Sequence, residues 1–505
     1  MQLSRNNLNK INNKTDKPRY QNLPEKVLQF GTGVLLKALP DYYIHKANNK
    51  SVFNGSIAVV KSTSSGGVAV YEKQDNLYTI CVRGVKGGTT IHQNIISGAI
   101  SRVLTATTDW NQILKIAESE NLEVVISNTT EAGIQLVEDD IFANPPVSFP
   151  AKLLAVLYQR FNAFKGDKSK GLVIIPTELI VDNADKLKDI LLVLTEKQQL
   201  PLKFIDWLND ANYFCNSLVD RIVPGTPDKK NLPILTEELG YTDELLTMCE
   251  SYSLWAIQGN ETVKQKLTFA TTDANVVITP DIKKFRELKL RLLNGTHTLT
   301  CGVAYLAGFD TVNESTDDKG ISYYLETLMK TEITPSIPFP LEKEEALAFA
   351  DDVLDRFKNP HIKHQWLSIS MNYTTKLKTR VLPILLNFQK KFDTTPELMA
   401  LGFAAYLKFV QVAKVEENQY YGYANDKFYL INDDKIAYIH CEYQKNTSNP
   451  LAILKDRKIW GEDLTELKNF EQKVHACYRF ISQNSIKEFL TRKVKKRNKQ
   501  CIEEY

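Results

Sequence analysis

The chain has 505 residues, 43% hydrophobic and 10% aromatic, an ordinary globular composition with room for two or three domains and a sizeable core. Sixty-three Lys and Arg against 60 Asp and Glu leave a formal charge of +3, too balanced to imply nucleic acid as an overall partner. The seven cysteines are widely spaced and form no CxxC pair, which indicates neither a zinc cluster nor a disulfide framework and suits a reducing cytosol. The opening MQLSRNNLNKINNK has no signal-peptide core and no apolar run approaches a membrane span, so a soluble cytoplasmic protein without a membrane partner is expected.

Residues 1–22 are polar and read as a disordered arm. Lys26 to Phe30 reads as a strand that meets Gly31-Thr32-Gly33, and Val34 to Asn48 as a helix with a kink at Pro40. A strand, a GxG turn and a helix together form a dinucleotide-binding context, because glycines let the backbone approach a pyrophosphate and a helix start favours its charge. Phe30, Gly31, Thr32, Gly33 and Val34 are therefore candidate cofactor contacts, although Leu36 stands where the fingerprint has its third glycine. Ser56 to Val60 is the second strand. It ends in Lys61 where an NAD-binding unit usually carries an acid for the ribose, so Lys61 with Ser62, Thr63 and Ser64 is a candidate for a 2′-phosphate or a solvated loop.

Tyr78 to Arg83 pairs with Thr89 to Ile91 across a Gly84–Gly88 turn as a hairpin decorating the nucleotide domain, and Val103 to Glu120 reads as helix. Glu123 to Ser127 is a buried parallel strand ending in Asn128-Thr129-Thr130-Glu131. Ligands of open α/β sheets sit beyond such strand ends, which makes Asn128, Thr129 and Glu131 cofactor candidates. Gly171 to Pro176 is a further strand, with Asp182-Asn183 just beyond it. In NSLVDRIVP, Asp220 and Arg221 either brace the site's rim or form a buried ion pair. Ala274 to Thr279 is strand-like and Pro280 ends it, placing a boundary near residue 283.

Beyond that boundary strand signals nearly vanish. Glu342 to Phe357, Pro396 to Val415 and Leu464 to Phe480 read as amphipathic helices, the second with Thr395 as N-cap and Pro396 in the first turn, and a short strand is expected near Tyr429–Ile431. His361 and His364 are three apart but lack a third ligand, so no metal is expected. The basic run 491–499 reads as a solvated helix end rather than a nucleic-acid site.

Lys289-Leu-Arg-Leu-Leu-Asn294-Gly-Thr-His297 lies in a stretch, Lys284 to Leu306, whose apolar residues recur at roughly helical spacing. Asn294 and His297 share a face, while Lys289 is turned from His297 by about 80° and displaced by about 12 Å along an ideal helix, so only a long side chain closes the gap. A lysine, an amide and an imidazole converging on one oxygen suit a carbonyl under reduction by hydride, where negative charge builds and a proton must follow.

KLRLLNGTHTL, together with QFGTGVLLKA, SNTTEAG, FCNSLVDRIVP and RVLP in order, resembles the mannitol dehydrogenase family over roughly residues 24 to 480, and DNLYTICVRG resembles its hexuronate-reducing branch. The resemblance implies a metal-independent oxidoreductase using NAD, with NADP left open, and an α/β Rossmann-like dinucleotide-binding domain (1–283) followed by a mostly helical catalytic domain (284–505). It implies an active site in the cleft between the two domains. In this reading Lys289 is the general acid/base, and Asn294 and His297 polarise the carbonyl of a small sugar-acid substrate. TELIVDNA resembles the stretch that brings an asparagine, here Asn183, to the substrate. Lys376 matches a lysine that lies near it in polyol-type relatives, and Ser368 and Met371 replace those relatives' neighbouring Arg and His. Lys376, Arg380 and Arg221 are the candidate cations for a substrate carboxylate. A fructuronate reductase or polyol dehydrogenase with the same machinery and a dinucleotide-sensing protein without turnover are the alternatives, and the sequence does not give the oligomeric state.

Overall fold

The computed structural model describes residues 1–62, 68–129, 133–446 and 449–503, the last six as backbone only. By its contacts the chain forms two compact units, Met1–Arg83 with Ile91–Ile282, and Gly84–Thr90 with Lys283–Tyr505.

The first unit is built on six strands, β1 (Glu25–Phe30), β2 (Ser56–Lys61), β3 (Ile100–Thr105), β4 (Val124–Ser127), β5 (Val173–Pro176) and β6 (Tyr213–Phe214). All pair in parallel, in the order β3-β2-β1-β4-β5-β6. That is the doubly wound order of a dinucleotide-binding sheet, and the chain direction switches between β1 and β4. The strands are apolar throughout because both faces are covered. Val27, Val59, Ile126 and Ile175 point into one core, and Leu28, Val60, Val125 and Ile174 into the other.

Several local expectations are corrected. The N-terminal arm is packed, with Leu3 and Ile11 buried against Leu77, Cys81 and Ile96. The kink expected at Pro40 is present: the helix after the GxG turn breaks at Leu39 (φ −128°, ψ −80°), and Pro40 opens a second helix, Pro40–Asn49. Residues read as the start of a helix at Val103 form the end of β3, and the helix is Ala106–Ala117. The hairpin forms as Tyr78–Lys86 and Thr89–Ser97, and its tip, 84–90, belongs to the second unit, where Gly87 N–H donates to Asp355 at 2.6 Å.

The second unit is mostly helical, with one small antiparallel meander at Lys414–Glu416, Gln419–Ala424 and Lys427–Leu430 that sequence patterning largely missed. At its centre Thr296–Leu306 packs on Glu397–Phe409. Small residues set that approach, since a Cβ on Gly402 would stand 2.6 Å from Leu299 Cδ2 and one on Gly302 would stand 3.3 Å from the Ala405 carbonyl carbon. Pro396 is itself the N-terminal flank of the second of these helices, whose open N–H groups at Leu398 and Met399 bond the buried Glu332 carboxylate instead of Thr395. Among the described residues no helix is long and apolar enough to cross a membrane.

Candidate functional site

In the first unit the ends of β1 and β4 meet at the switch point. Gly31 N–H donates to Val60 O (3.0 Å) and Asn128 N–H to Phe30 O (3.1 Å). Gly31 has φ +123°, and a Cβ there would lie 2.8 Å from Asn128 O, so only glycine fits. Gly33 is different. It is exposed, its nearest neighbour to a built Cβ is Asn128 Oδ1 at 4.0 Å, and it leads directly into the helix Val34–Ala38. Thr32 is half-buried and Val34 exposed beside it. The turn thus presents bare backbone at the carboxyl end of the sheet, an arrangement that fits the pyrophosphate of a dinucleotide.

Glu178 holds the opposite wall. Its carboxylate accepts from Thr129 N–H (2.8 Å), Thr129 Oγ1 (3.0 Å) and Ser127 Oγ (3.1 Å), while Asn128 Nδ2 donates to Thr177 O (3.1 Å) and Oγ1 (3.0 Å). Asn128 and Thr129 are therefore pinned in place. Glu131 lies outside the described residues, as do Thr63 and Ser64. Lys61 ends β2 as a buried residue, and among the described residues no acid follows it at that strand end.

Asn183, Asp220 and Arg221 lie in this first unit, and the contacts of two of them point to bracing instead of the expected substrate contact. Asn183 is fully buried. Its Nδ2 donates to Pro176 O, Glu178 O and Ser217 O, and its Oδ1 accepts from Ala184 N–H and Ser217 N–H. Arg221 is buried with Nε and Nη2 on Glu250 O and Nη1 on Ala38 O, its guanidinium over the Tyr42 ring. Asp220 is buried in a strand paired antiparallel with Leu254–Gln258. The amide and the guanidinium so engaged hold loops together.

In the second unit the Lys289–His297 stretch is helical, but with a change of register. An α-helix (Lys283–Leu288) opens into a π-helical turn (Lys289–Gly295) and returns to α at Thr296. On an α-helix residues five apart point about 140° apart. A turn closed by i→i+5 bonds brings them back toward one side, so the register change draws Lys289 toward Asn294. Lys289 and Asn294 are half-buried and His297 is buried.

His297 stacks on Phe357 (ring centroids 4.3 Å, planes 19° apart) and meets His364 edge-on at 5.2 Å and Trp366 at 6.1 Å. Burial pushes its pKa well below the usual 6.5, and the positive charge of Arg356, Arg380 and Lys376, with His364, adds to that effect. The imidazole is therefore neutral near pH 7, with one N–H to donate. Lys376 Nζ donates to Ile369 O at 2.8 Å, and Arg380 Nη1 reaches Thr298 Oγ1 at 3.4 Å. Burial and then Arg380 lower the Lys376 pKa, and burial lowers that of Arg380.

Lys376 and Arg380 thus both act on His297 electrostatically, and Arg380 reaches the side chain of its neighbour Thr298, which makes them candidate substrate groups for a candidate polarising group. Sequence reasoning did not select Arg356, Phe357, His364 and Trp366. The pair His361/His364 was visible, but only as a weak metal motif, and among the described residues no group of three or more His, Cys, Asp or Glu could hold a metal.

Two family profiles match the chain, the mannitol dehydrogenase Rossmann domain over residues 25–271 and the mannitol dehydrogenase C-terminal domain over residues 281–482. The altronate oxidoreductase of Bacillus subtilis (strain 168) is 37% identical over 477 residues, covering 93% of this chain and 95% of that protein. That of Shigella flexneri is 37% identical over 465 residues, covering 92% and 95%. In fold the chain is similar to a substrate-free D-sorbitol dehydrogenase (TM-score 0.76, 18% identity, 96% of this chain and 99% of that one). It is also similar to a Pseudomonas fluorescens mannitol 2-dehydrogenase in ternary complex with NAD and D-mannitol (TM-score 0.67, 21% identity, 98% and 100%).

Proposed function

The chain belongs to the mannitol dehydrogenase family, and from that premise we propose that it interconverts tagaturonate and altronate with NADH as its cofactor. The observation that carries the substrate class is the set of cations around His297: Arg380, whose Nη1 reaches the side chain of the adjoining Thr298, Arg356, next to the Phe357 ring on which His297 stacks, and Lys376. A uronate brings a carboxylate that such a surround attracts, whereas a neutral ketose or polyol gains nothing from it. The altronate oxidoreductases at 37% identity over nearly the whole chain support the same assignment.

In this reading residues 1–283 bind the dinucleotide, through the backbone of Phe30 to Val34 and the wall of Asn128 and Thr129, with Glu131 a further candidate by sequence alone, and residues 284–505 carry the chemistry. Bound NADH supplies the hydride that reduces the ketone carbon. Asn294 and His297 donate hydrogen bonds to the carbonyl oxygen and stabilise the charge that grows there. Lys289 delivers the proton to that oxygen and takes it back in the reverse direction, exchanging it with water. Lys376 and Arg380 hold the substrate's carboxylate. With Glu131 and residues 63–67 aside, Lys61 is the residue beside which NADPH would place its extra phosphate, and the choice of NADH rests on the family.

The test is NADH oxidation with tagaturonate, fructuronate and fructose in parallel. The proposal expects the highest kcat/KM on tagaturonate and little turnover of fructose. A preference for fructuronate would move the assignment to the other hexuronate. Comparable rates on fructose would remove the sugar-acid reading altogether.

A further inference from the structure

Arg291 sits between Lys289 and Asn294 in the π-helical turn, yet its side chain is buried and leads elsewhere. Its Nε donates to the Glu287 carboxylate at 2.9 Å, and its Nη1 donates to two backbone carbonyls of another segment, Thr379 O at 2.8 Å and Arg380 O at 2.9 Å. That segment, Leu377–Val381, is itself a π-helical turn, directly following Lys376 and containing Arg380. One carbonyl is available for a reason written in the sequence. Pro383 has no N–H, so the ordinary helical bond back to Thr379 O cannot form.

Two further links tie the same turns together. Arg380 Nη1 approaches Thr298 Oγ1, whose hydroxyl donates to Asn294 O at 2.7 Å. Gly295 lies at the contact, where a built Cβ would make ordinary van der Waals contact with Ile384 Cδ1 at 3.5 Å and Arg380 O at 3.9 Å. A guanidinium is suited to this place because its planar fork serves a carboxylate and two carbonyls at once, which an ammonium cannot do in fixed geometry.

We propose that Arg291 is a positioning residue for the reaction, clamping the turn that carries Lys289 and Asn294 to the turn that carries Arg380 and follows Lys376. The proton-transfer groups and the carboxylate-binding groups are thereby held in one register. The inference rests on the roles given above to Lys289 and Lys376, and it adds a residue that touches neither substrate nor cofactor. A displacement of the order of 1 Å at a catalytic group costs about 10²-fold in rate, so the clamp's loss should appear in turnover.

Arg291→Met, Arg291→Lys and Arg291→Ala are compared with the parent enzyme, with Lys289→Ala as control. Arg291→Met is expected to lower kcat on tagaturonate by about 10²-fold while the KM for NADH stays within about two-fold, since the dinucleotide is bound by the first unit. Arg291→Lys should recover part of kcat, and millimolar guanidinium should partly restore Arg291→Ala, a rescue that a merely unfolded protein would not give. A cooperatively melting Arg291→Met with kcat within about three-fold of the parent overturns the proposal. So does a loss shared equally between kcat and the KM for NADH without guanidinium rescue. Lys289→Ala should lose about 10² to 10⁴ in rate. Its retention of full activity would remove the catalytic reading and this inference with it, whereas an inactive Lys289→Ala beside an active Arg291→Met would sink the clamp alone.

Discussion

Replacing Lys376 by Met tests the charge of the proposed substrate at a single side chain. The lysine is half-buried, one of its three donors is spent on Ile369 O at 2.8 Å, and the others are available to a ligand beside His297. A hydrogen bond to a charged partner contributes about 1.5–3 kcal/mol. Partial exposure of the ammonium screens it, so the lower end applies, a loss of about 10-fold in kcat/KM for tagaturonate. Met keeps the apolar stem and removes only the charge, and the orphaned Ile369 carbonyl costs stability equally whatever the substrate. A neutral ketose, turned over slowly, is therefore the internal control and should change far less. The pH dependence carries the same signature. Because burial and Arg380 lower the Lys376 pKa from the ordinary 10.5, its charge is lost as pH rises through that lowered value. The KM for tagaturonate should climb there in the parent enzyme and stay flat in Lys376→Met. Equal losses on charged and neutral substrates would refute the reasoning and send the carboxylate site to Arg380 or Arg356.

Gly33→Val should fold, because a built Cβ at that position meets nothing closer than 4.0 Å, yet raise the KM for NADH sharply by covering the backbone that faces the pyrophosphate. Unchanged cofactor affinity in a folded variant would show that the turn is not the phosphate site. The neutral burial of His297 predicts a stability loss on the acid side. Its folded-state pKa is depressed well below 6.5, so its contribution is complete above about pH 6.5 and is lost as pH falls, by up to about 1.4 kcal/mol per pH unit. Thermal melts between pH 8 and pH 5 check this, and His297→Gln should flatten the acid slope. An unchanged slope would mean that the imidazole already carries its proton in the native state.

The elements that sequence exposed most clearly were those whose burial is two-sided. SIAVV, EVVIS and GLVIIP are continuous apolar runs because parallel strands are covered on both faces, and each became a strand of the central sheet. Their order in space was not legible, since nothing within a strand names its neighbour. The Lys/Asn/His triplet was legible by type and spacing, but its register was not. The spacing of Leu288, Leu292, Leu299 and Val303 is compatible with an α-helix throughout, whereas the π-helical turn carries Arg291 to partners nearly ninety residues away, Thr379 O and Arg380 O, which no local spacing reveals.

The same distinction explains the divergent fates of the substrate candidates. Asn183, Arg221, Lys376 and Arg380 all presented themselves in sequence as polar groups in matching stretches, and sequence alone gives no count of the carbonyls each will face. Asn183 meets three carbonyl oxygens and two N–H groups, and Arg221 meets the carbonyls of Glu250 and Ala38, so their bonding capacity is largely consumed inside the fold. Lys376 meets one carbonyl and Arg380 one hydroxyl, beside an imidazole whose burial makes it a neutral donor. A half-buried cation with bonds to spare is a place where an anion gains a charge-assisted hydrogen bond. That unspent capacity next to His297 is the physical reason to place the uronate carboxylate there, and it is a property of the folded surround that no motif records.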